Sequence, residues 1–194
     1  MRFHFIVLGC VFAATQVHAQ WVNRPDNDPF GVGENAISVV AANGYEFGFR
    51  CKSKEKFWLF FRTTEELPSK IYNIDGKPTQ VFKADDSRHN MELRVDNALP
   101  VEVFVDATHD DKGHLSFMTM PKTEILRSFS AEDPAEAKII AAYRKNDQTA
   151  LDFASSIITA KNRIAVRVDQ HLQVFGFVRA ADALSNTLTA CGLK

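Results

Sequence analysis

The amino-acid sequence predicts a mainly β or α+β domain, an antiparallel and sandwich-like arrangement of strands with two to three helices in the last third of the chain. Short stretches that alternate apolar and polar residues, separated by turn residues, fill positions 36–120. Helix-start signals and apolar residues at helical spacing occur after position 130. Two distant cysteines, Cys51 and Cys191, offer a disulfide that would tie the C-terminal helix to the sheet.

The first 19 residues are expected to be a cleavable export signal. A cationic start precedes an apolar run over 5–14, which is shorter than the roughly 20 residues that cross a bilayer. Val17-His18-Ala19 matches the small-x-small pattern of a cleavage site. A lipobox-like stretch ending at Cys10 is the alternative, but cleavage there would leave a very short signal and place part of the apolar run on the mature chain.

Behind the signal, the sequence predicts an irregular arm over 20–35, rich in proline and glycine, and a single β-rich domain over 36–194. The charges almost balance, with 23 Lys and Arg against 24 Asp and Glu, so no basic surplus indicates nucleic acid as a partner. No later segment is long and apolar enough to suggest a membrane helix, and we expect no integral membrane segment in the mature chain. No phosphate-binding glycine loop occurs, and no cofactor is expected.

The first strands have the clearest signals. Residues 36–42 are apolar and β-branched, and Asn43-Gly44 after them is the strongest short-range hairpin signal. Residues 45–51 place aromatic side chains at every second position and end in Cys51, which predicts a strand with one aromatic face. Residues 57–61 are apolar at every position, which is typical of a central strand covered on both faces.

Further strands follow at regular intervals, joined by polar turns. They are predicted over 70–74 and 79–83, with a turn over 75–78 between them, and then over 91–95, 101–107, 115–120, 163–168 and 172–178.

Helices are predicted in the last third. Asp133-Pro134-Ala135-Glu136 combines an N-cap, a proline at the first helical position and a glutamate placed for a capping box, so a helix should run from there to about residue 145. Apolar spacing predicts a second helix over 148–160. A final helix over 180–191 places Cys191 on an apolar stripe, with Gly192 as its C-terminal stop.

Cys51 and Cys191 are the cysteines left after removal of the signal. In an exported protein such an isolated pair most simply forms a disulfide, which here would close nearly the whole domain. Neither cysteine lies in a CxxC motif. A catalytic thiol and a metal-binding pair are the alternatives.

A cluster of histidines and carboxylates around position 110 is the most suggestive polar feature. Asp106, His109, Asp111 and His114 are candidate ligands of a divalent metal, since borderline ions accept nitrogen and oxygen ligands. The same stretch, with Asp110 beside Asp111, is also typical of a solvated hairpin loop, and its histidines lack the i, i+4 spacing of HExxH. The loop interpretation is favoured, and the metal site is kept as a hypothesis.

A second polar stretch, over 85–89, contains Ser87 close to His89. A nucleophilic serine is the sharper interpretation, but nothing like GxSxG precedes it, so an exposed loop is predicted. No catalytic residue is predicted from this sequence.

Candidate contacts to a partner are Trp21 in the arm and His109, Asp110 and Asp111 in the loop. An aromatic residue in an irregular segment docks either on its own domain or on a partner. For Trp21 we expect docking on its own domain.

The strand Phe47-Gly48-Phe49-Arg50-Cys51, together with the terminal stretch over 172–184 and the closing Cys191, resembles known families. These features are similar to small exported proteobacterial proteins of the invasion-associated locus B type and to the type VI secretion accessory proteins TagO or VasI. The resemblance implies a β-sandwich-like fold, no enzymatic activity, and a role in the bacterial envelope, in secretion or in host interaction.

The predicted function is therefore that of a non-catalytic periplasmic or secreted protein that binds another envelope, secretion-system or host protein. One alternative is an inhibitor or immunity protein of a cell-wall hydrolase or toxin, in which a loop over 108–114 would enter the partner's cleft. Another alternative is a metal-dependent hydrolase that uses His109 and His114.

Overall fold

The computed structural model describes residues 21–25, 35–53, 56–83, 88–110, 112–120, 129–176 and 180–193. The predicted export signal and Gln20 lie outside these ranges. Within them the chain is mostly antiparallel β-structure with two helices, which confirms the predicted fold class.

Nine of the described strands form one antiparallel sheet in the order β1-β2-β3-β4-β9-β8-β7-β10-β11, and the other two, β5 and β6, form a separate hairpin. Their bounds are β1 Trp21–Pro25, β2 Asn35–Val40, β3 Glu46–Ser53, β4 Lys56–Glu66, β5 Ser69–Ile74, β6 Lys77–Phe82, β7 Arg88–Val95, β8 Val101–His109, β9 His114–Met118, β10 Arg163–Val168 and β11 His171–Gly176.

The large sheet has one continuous apolar face because its strands alternate in phase with each other. Phe47 and Phe49 of β3 lie opposite Phe61 and Leu59 of β4, and all four side chains are buried. The same face continues across the sheet through the buried residues Ile37, Val39, Phe117, Val103, Val105, Met91, Leu93, Ile164 and Val166.

The sheet curls until its last strand faces its third. The ring of Phe47 on β3 lies 6.1 Å, centroid to centroid, from the ring of Phe175 on β11. The hydroxyl of Tyr45 lies 3.3 Å from a ring nitrogen of His171. The sandwich-like arrangement that the sequence predicts is therefore formed by a single sheet, whose two ends face each other as two layers.

The outer face of β4 is covered as well. Phe60 is buried there, with the Arg50 guanidinium 5.4 Å from its ring centre. Gly48 lies beside this ring, and a Cβ at that position would be 2.7 Å from the ring and 2.4 Å from the carbonyl oxygen of Ile37. Only glycine fits this close approach of β2 and β3 without displacement of the backbone.

The prediction of an irregular arm over 20–35 is wrong at both ends of that range. Trp21–Pro25 is strand β1, paired with β2 in antiparallel register, and Asn35 begins β2. The indole of Trp21 stacks on Phe49, with centroids 6.2 Å apart, and is buried. Burial of this aromatic ring against β3 stabilises β1 as an edge strand. The proline content of this segment had favoured an irregular conformation instead.

Two helices predicted over the region from 134 to 160 are one continuous helix, α1, Pro134–Ile158. Asp133 caps it as expected and accepts the amide of Ala135 at 2.7 Å. The predicted break falls at Asn146, whose buried side chain bonds both the N–H and the carbonyl of Phe104 on β8. This polar residue docks the helix on the sheet instead of ending it.

The C-terminal helix α2, Ala180–Ala190, is tied to the sheet as predicted. Cys191 follows it and forms a disulfide with Cys51 on β3, and the two cysteines have Cα atoms 5.9 Å apart and are separated by 140 positions in sequence. Gly192 adopts a φ of 69° and ends the helix in a Schellman motif, in which Leu193 donates to the Leu188 carbonyl.

Candidate functional site

All four histidines of the described ranges lie at one end of the sheet, around a cleft of about 340 Å³ at the root of the β5–β6 hairpin. His89 and His171 line the cleft directly. His109 ends β8 and His114 begins β9, opposite Glu66 at the end of β4. Other residues that line the cleft include Glu65, Leu67, Lys83, Phe117 and Asp169.

His171 joins the last strand to β4, to β9 and to the turn that precedes β3. In its buried ring, Nδ1 lies 3.3 Å from the Tyr45 hydroxyl, and Nε2 lies 3.3 Å from the Glu65 carboxylate. The ring also packs on Phe117, with centroids 6.0 Å apart. Both ring nitrogens are engaged, so this histidine fastens the curled sheet.

His89 forms the second histidine–carboxylate pair of the cleft. Its Nδ1 lies 2.7 Å from a carboxylate oxygen of Asp169, which occupies the β10–β11 turn with a φ of 51°. The ring also contacts Phe117 in an edge arrangement, with centroids 5.2 Å apart. His89 was predicted in an exposed loop and instead lies within β7, whereas Ser87 lies outside the described residues.

The turn that joins β8 and β9 is organised by Asp110. One carboxylate oxygen accepts the amides of Lys112 and His114, both at 2.9 Å, and the other lies 3.0 Å from Nδ1 of His114. Nε of Arg62 lies 3.5 Å from a carboxylate oxygen of Asp110, and only 7% of the Asp110 side chain is exposed. The carboxylate of Asp110 therefore faces inward, and the role of this residue as a partner contact stays a prediction.

The pKa of Asp110 lies below its ordinary value. Burial would by itself raise it, but hydrogen bonds from the backbone and the ring of His114, the charge of Arg62 and the amide of Lys112 together outweigh burial. The ionised carboxylate is thus the form that the folded turn prefers.

Asp110→Asn should lower the free energy of unfolding by about 1 to 2 kcal/mol at neutral pH, because hydrogen bonds to a charged acceptor are lost. A lowered folded-state pKa adds stability above the unfolded-state pKa of about 3.9, and this stability is lost as the pH falls through the folded-state value. Urea unfolding of both proteins across this range should show the difference shrinking below about pH 4.

Asp75→Asn, at an exposed turn, is the control and should change stability by less than about 0.5 kcal/mol at any pH. A destabilisation by Asp110→Asn that stays constant with pH would contradict this account of the carboxylate.

The predicted metal ligands are spread over this end of the molecule. Asp106 lies opposite Arg88 in β7, and His109 donates from Nδ1 to the Asp110 carbonyl, 2.9 Å away. Among the described residues, no group of three or more His, Cys, Asp or Glu is placed to hold a metal ion. Asp111 lies outside those residues, and the predicted set as a whole stays a prediction.

The β5–β6 hairpin is the most exposed element in the described part of the chain. Every residue of β5 is exposed, and the exposed fractions of Ile71, Tyr72 and Ile74 are 74%, 50% and 47%. Its two-residue turn, Asp75-Gly76, has positive φ at both positions, which defines a tight type I′ hairpin. Both strands were predicted, but the turn is shorter than the predicted 75–78, because Lys77 and Pro78 belong to β6. The separation of this hairpin from the sheet was not predicted.

Within the described ranges, the contacts that anchor the hairpin lie at its root. Phe82 packs against Gly113 so closely that a Cβ at this position would clash with the ring, and the Phe82 ring centroid is 5.1 Å from that of His109. The amide of Leu67 donates to the Gly113 carbonyl at 2.9 Å. The hairpin, the β8–β9 turn and the cleft therefore form one continuous surface, which we name the hairpin end.

The other predicted partner contacts have mixed outcomes. Trp21 is buried against Phe49, so its docking on its own domain is confirmed, and its role as a partner contact stays a prediction. His109 is exposed at the hairpin end. Asp111 lies outside the described residues.

A second cavity of about 570 Å³ lies between the C-terminal half of α1 and the loop that joins β7 to β8. Apolar side chains, including Leu99, Val101 and Phe153, form much of its lining. Asp96 at its edge accepts three backbone amides, those of Lys161, Asn162 and Arg163, and these bonds lower its pKa. The carboxylate is thus committed to a turn.

No helix within the described ranges is long and apolar enough to cross a membrane. Comparison of the whole chain with protein-family models, with curated proteins and with solved structures finds no match.

Proposed function

We propose that this chain is a non-catalytic periplasmic or secreted protein that binds another envelope, secretion-system or host protein through its hairpin end. The observation that supports this proposal is the exposure of Ile71, Tyr72, Ile74 and Val81 on a hairpin that has a fixed register. Single exposed apolar residues are ordinary. Tyr72, Ile74 and Val81, however, share one face of the hairpin, and such a group on an exposed element is typical of a binding surface.

The composition of the hairpin suits protein recognition. Tyrosine is enriched at the energetic centres of protein interfaces, because a rigid ring buries a large area with little loss of conformational entropy. Tyr72 lies between Lys70 and Ile74 on one side of the hairpin, where all three side chains are exposed. A partner that covers this side would bury aliphatic and aromatic area that water now contacts.

The compartment in this proposal comes from the disulfide and from the sequence. Disulfides persist in oxidising spaces outside the cytoplasm, and the Cys51–Cys191 bond is compatible with such a location. The predicted export signal over 1–19 and the resemblance to envelope and secretion proteins support the same assignment.

An inhibitor of a cell-wall hydrolase or toxin is the second candidate function. The exposure of both strands of the hairpin favours it, because an inhibitor places an exposed, rigid element in the cleft of its target. The inserting element would then be the β5–β6 hairpin. The 108–114 loop suits this less well, because Asp110 holds it against Arg62.

Crosslinking followed by pull-down from the periplasm, with mass spectrometry, tests both functions. The double variant Tyr72→Ser, Ile74→Ser should reduce the yield of the captured protein by about tenfold or more, the effect of losing an interface centre. The matched control is Leu172→Ser, Val174→Ser, which removes two exposed apolar residues from β11 and should capture like the native chain.

Equal capture by both double variants would contradict the role of the hairpin end. Capture of an envelope or secretion component would support the first function, and capture of a hydrolase or toxin would support the second.

A further inference from the structure

The β5–β6 hairpin is an incomplete sheet. Within the described residues its two strands pair only with each other, and β6 is exposed along its length except at Phe82. A two-stranded hairpin is marginally stable in water, and three strands with an apolar face are normally needed for independent stability. A third strand would complete this element.

The register shows which backbone groups are available to such a strand. The type I′ turn makes Ile74–Lys77 a hydrogen-bonded pair, and pairs alternate from there between bonded and non-bonded. The Lys83 amide donates to the Pro68 carbonyl at 3.0 Å. Pro68 and Lys83 are therefore a hydrogen-bonded pair, as this alternation requires. The N–H and C=O groups of Ser69, Ile71 and Asn73 therefore point away from β6, along the outer edge of β5.

The outer edge of β6 is less suited to pairing. Pro78 lies opposite Asn73 and has no N–H to offer, which is a common way of blocking an edge strand. At the other end of β6, Phe82 packs on Gly113 and His109. The open edge of the hairpin is β5.

The charges of the hairpin indicate the chemistry of the added strand. Lys70, Tyr72 and Ile74 share one face with Lys77 and Val81, because directly opposite residues lie on the same side of a hairpin. Neither β5 nor β6 contains a carboxylate, and Asp75 in the turn is the one acidic residue over 69–82, whereas the whole chain has a net charge of −1. The positive charge on this face is therefore local, and it complements an acidic segment.

We infer that an extended segment of the partner protein, with alternating acidic and apolar side chains, adds to β5 as a third strand. Main-chain hydrogen bonds to the outer edge of β5 provide affinity. Carboxylates that contact Lys70 on β5 provide specificity, and Lys77, one strand farther away on β6, adds a longer-range attraction. This inference rests on the proposed function and specifies the chemistry of the partner. A protein segment is favoured over an anionic membrane, because membrane-binding basic clusters contain about 4 to 8 Lys or Arg.

The test uses a synthetic peptide of alternating Glu and Val, as long as the 6 residues of β5, and a second peptide with Lys in place of Glu. Fluorescence anisotropy should detect saturable binding of the acidic peptide to the full chain, weakened by salt, and no binding of the lysine peptide. Ile71→Pro should weaken binding by about tenfold or more, since it removes an N–H from the open edge.

Gln80→Pro is the matched control, because Gln80 lies directly opposite Ile71 and its N–H points to the outer edge of β6. This variant should bind within about twofold of the native chain, and Ile71→Ala, which keeps the N–H, within about threefold. Thermal unfolding of the two proline variants checks that both are folded to the same extent.

Equal weakening by Ile71→Pro and Gln80→Pro, or no saturable binding of the acidic peptide, would overturn the inference. Binding to phosphatidylglycerol vesicles without binding to the peptide would also overturn it, in favour of a membrane surface. If capture depends on Tyr72 and Ile74 but not on the N–H of Ile71, strand addition is wrong and the proposed function stands. If capture depends on none of these residues, strand addition and the proposed function are both wrong.

Discussion

The double variant Cys51→Ala, Cys191→Ala should lose about 4 to 5 kcal/mol of unfolding free energy, the largest effect that we expect from removing a single bond in this chain. The disulfide joins residues separated by 140 positions, so the reduced unfolded chain gains the entropy of a very long loop. For a domain of this size, the loss corresponds to a fall of about 10 to 20 °C in Tm.

The position of the bond adds a local effect to the global one. Helix α2 is only 11 residues long and packs on β1 and β2 through Leu184 and Leu188. Helices of this length are marginal without tertiary support, so its amides should exchange with solvent before those of β3 and β4 in the variant.

Urea unfolding and hydrogen exchange measure the two effects. The native chain treated with reductant is the control, and it should match the double variant in stability while its intact mass increases by two hydrogens. An unchanged mass on reduction, or a variant as stable as the oxidised chain, would contradict the architecture described above.

Local chemistry made much of this fold predictable. Asn43-Gly44 was predicted to join two strands, and Gly44 indeed has a φ of 84° in the turn between β2 and β3. The helix N-cap at Asp133 and the helix C-terminus at Gly192 were also predicted, because each depends on the residues immediately around it.

The errors arose where a distant contact decides the local conformation. Trp21–Pro25 forms a strand because β2 pairs with it and Phe49 stacks on the indole. Helix α1 continues past Asn146 because Phe104, 42 positions away, satisfies its amide. Neither partner can be identified from spacing within a short window.

The candidate site was harder to predict than the fold. His89 and His171 are far apart in sequence and come to one cleft only because the sheet curls around Phe117. The hairpin did leave a signal, since Ile71, Tyr72 and Ile74 place apolar side chains on both of its faces. A strand that pairs in a half-exposed sheet would alternate instead.

Phe47→Ala should lower the unfolding free energy by about 3 to 5 kcal/mol, the range for removal of a buried phenylalanine side chain. Its ring meets Phe49 on its own strand, Phe153 on α1 and Phe175 on β11, with centroids 5.4, 6.2 and 6.1 Å away. Three elements that are remote in sequence thus share one contact, and they cannot all move inward to fill the space left by the ring.

Phe104→Ala is the matched control, because the same atoms are removed from a side chain that is 37% exposed, and the expected loss is below about 1.5 kcal/mol. Urea unfolding should give a lower midpoint and an unchanged m-value for Phe47→Ala, since the surface exposed on unfolding stays nearly the same. Equal losses for the two variants would contradict the convergence of β3, α1 and β11 at Phe47. A large loss at Phe47 alone would support the curl that brings His171 to Tyr45 and thereby forms the cleft beside the hairpin.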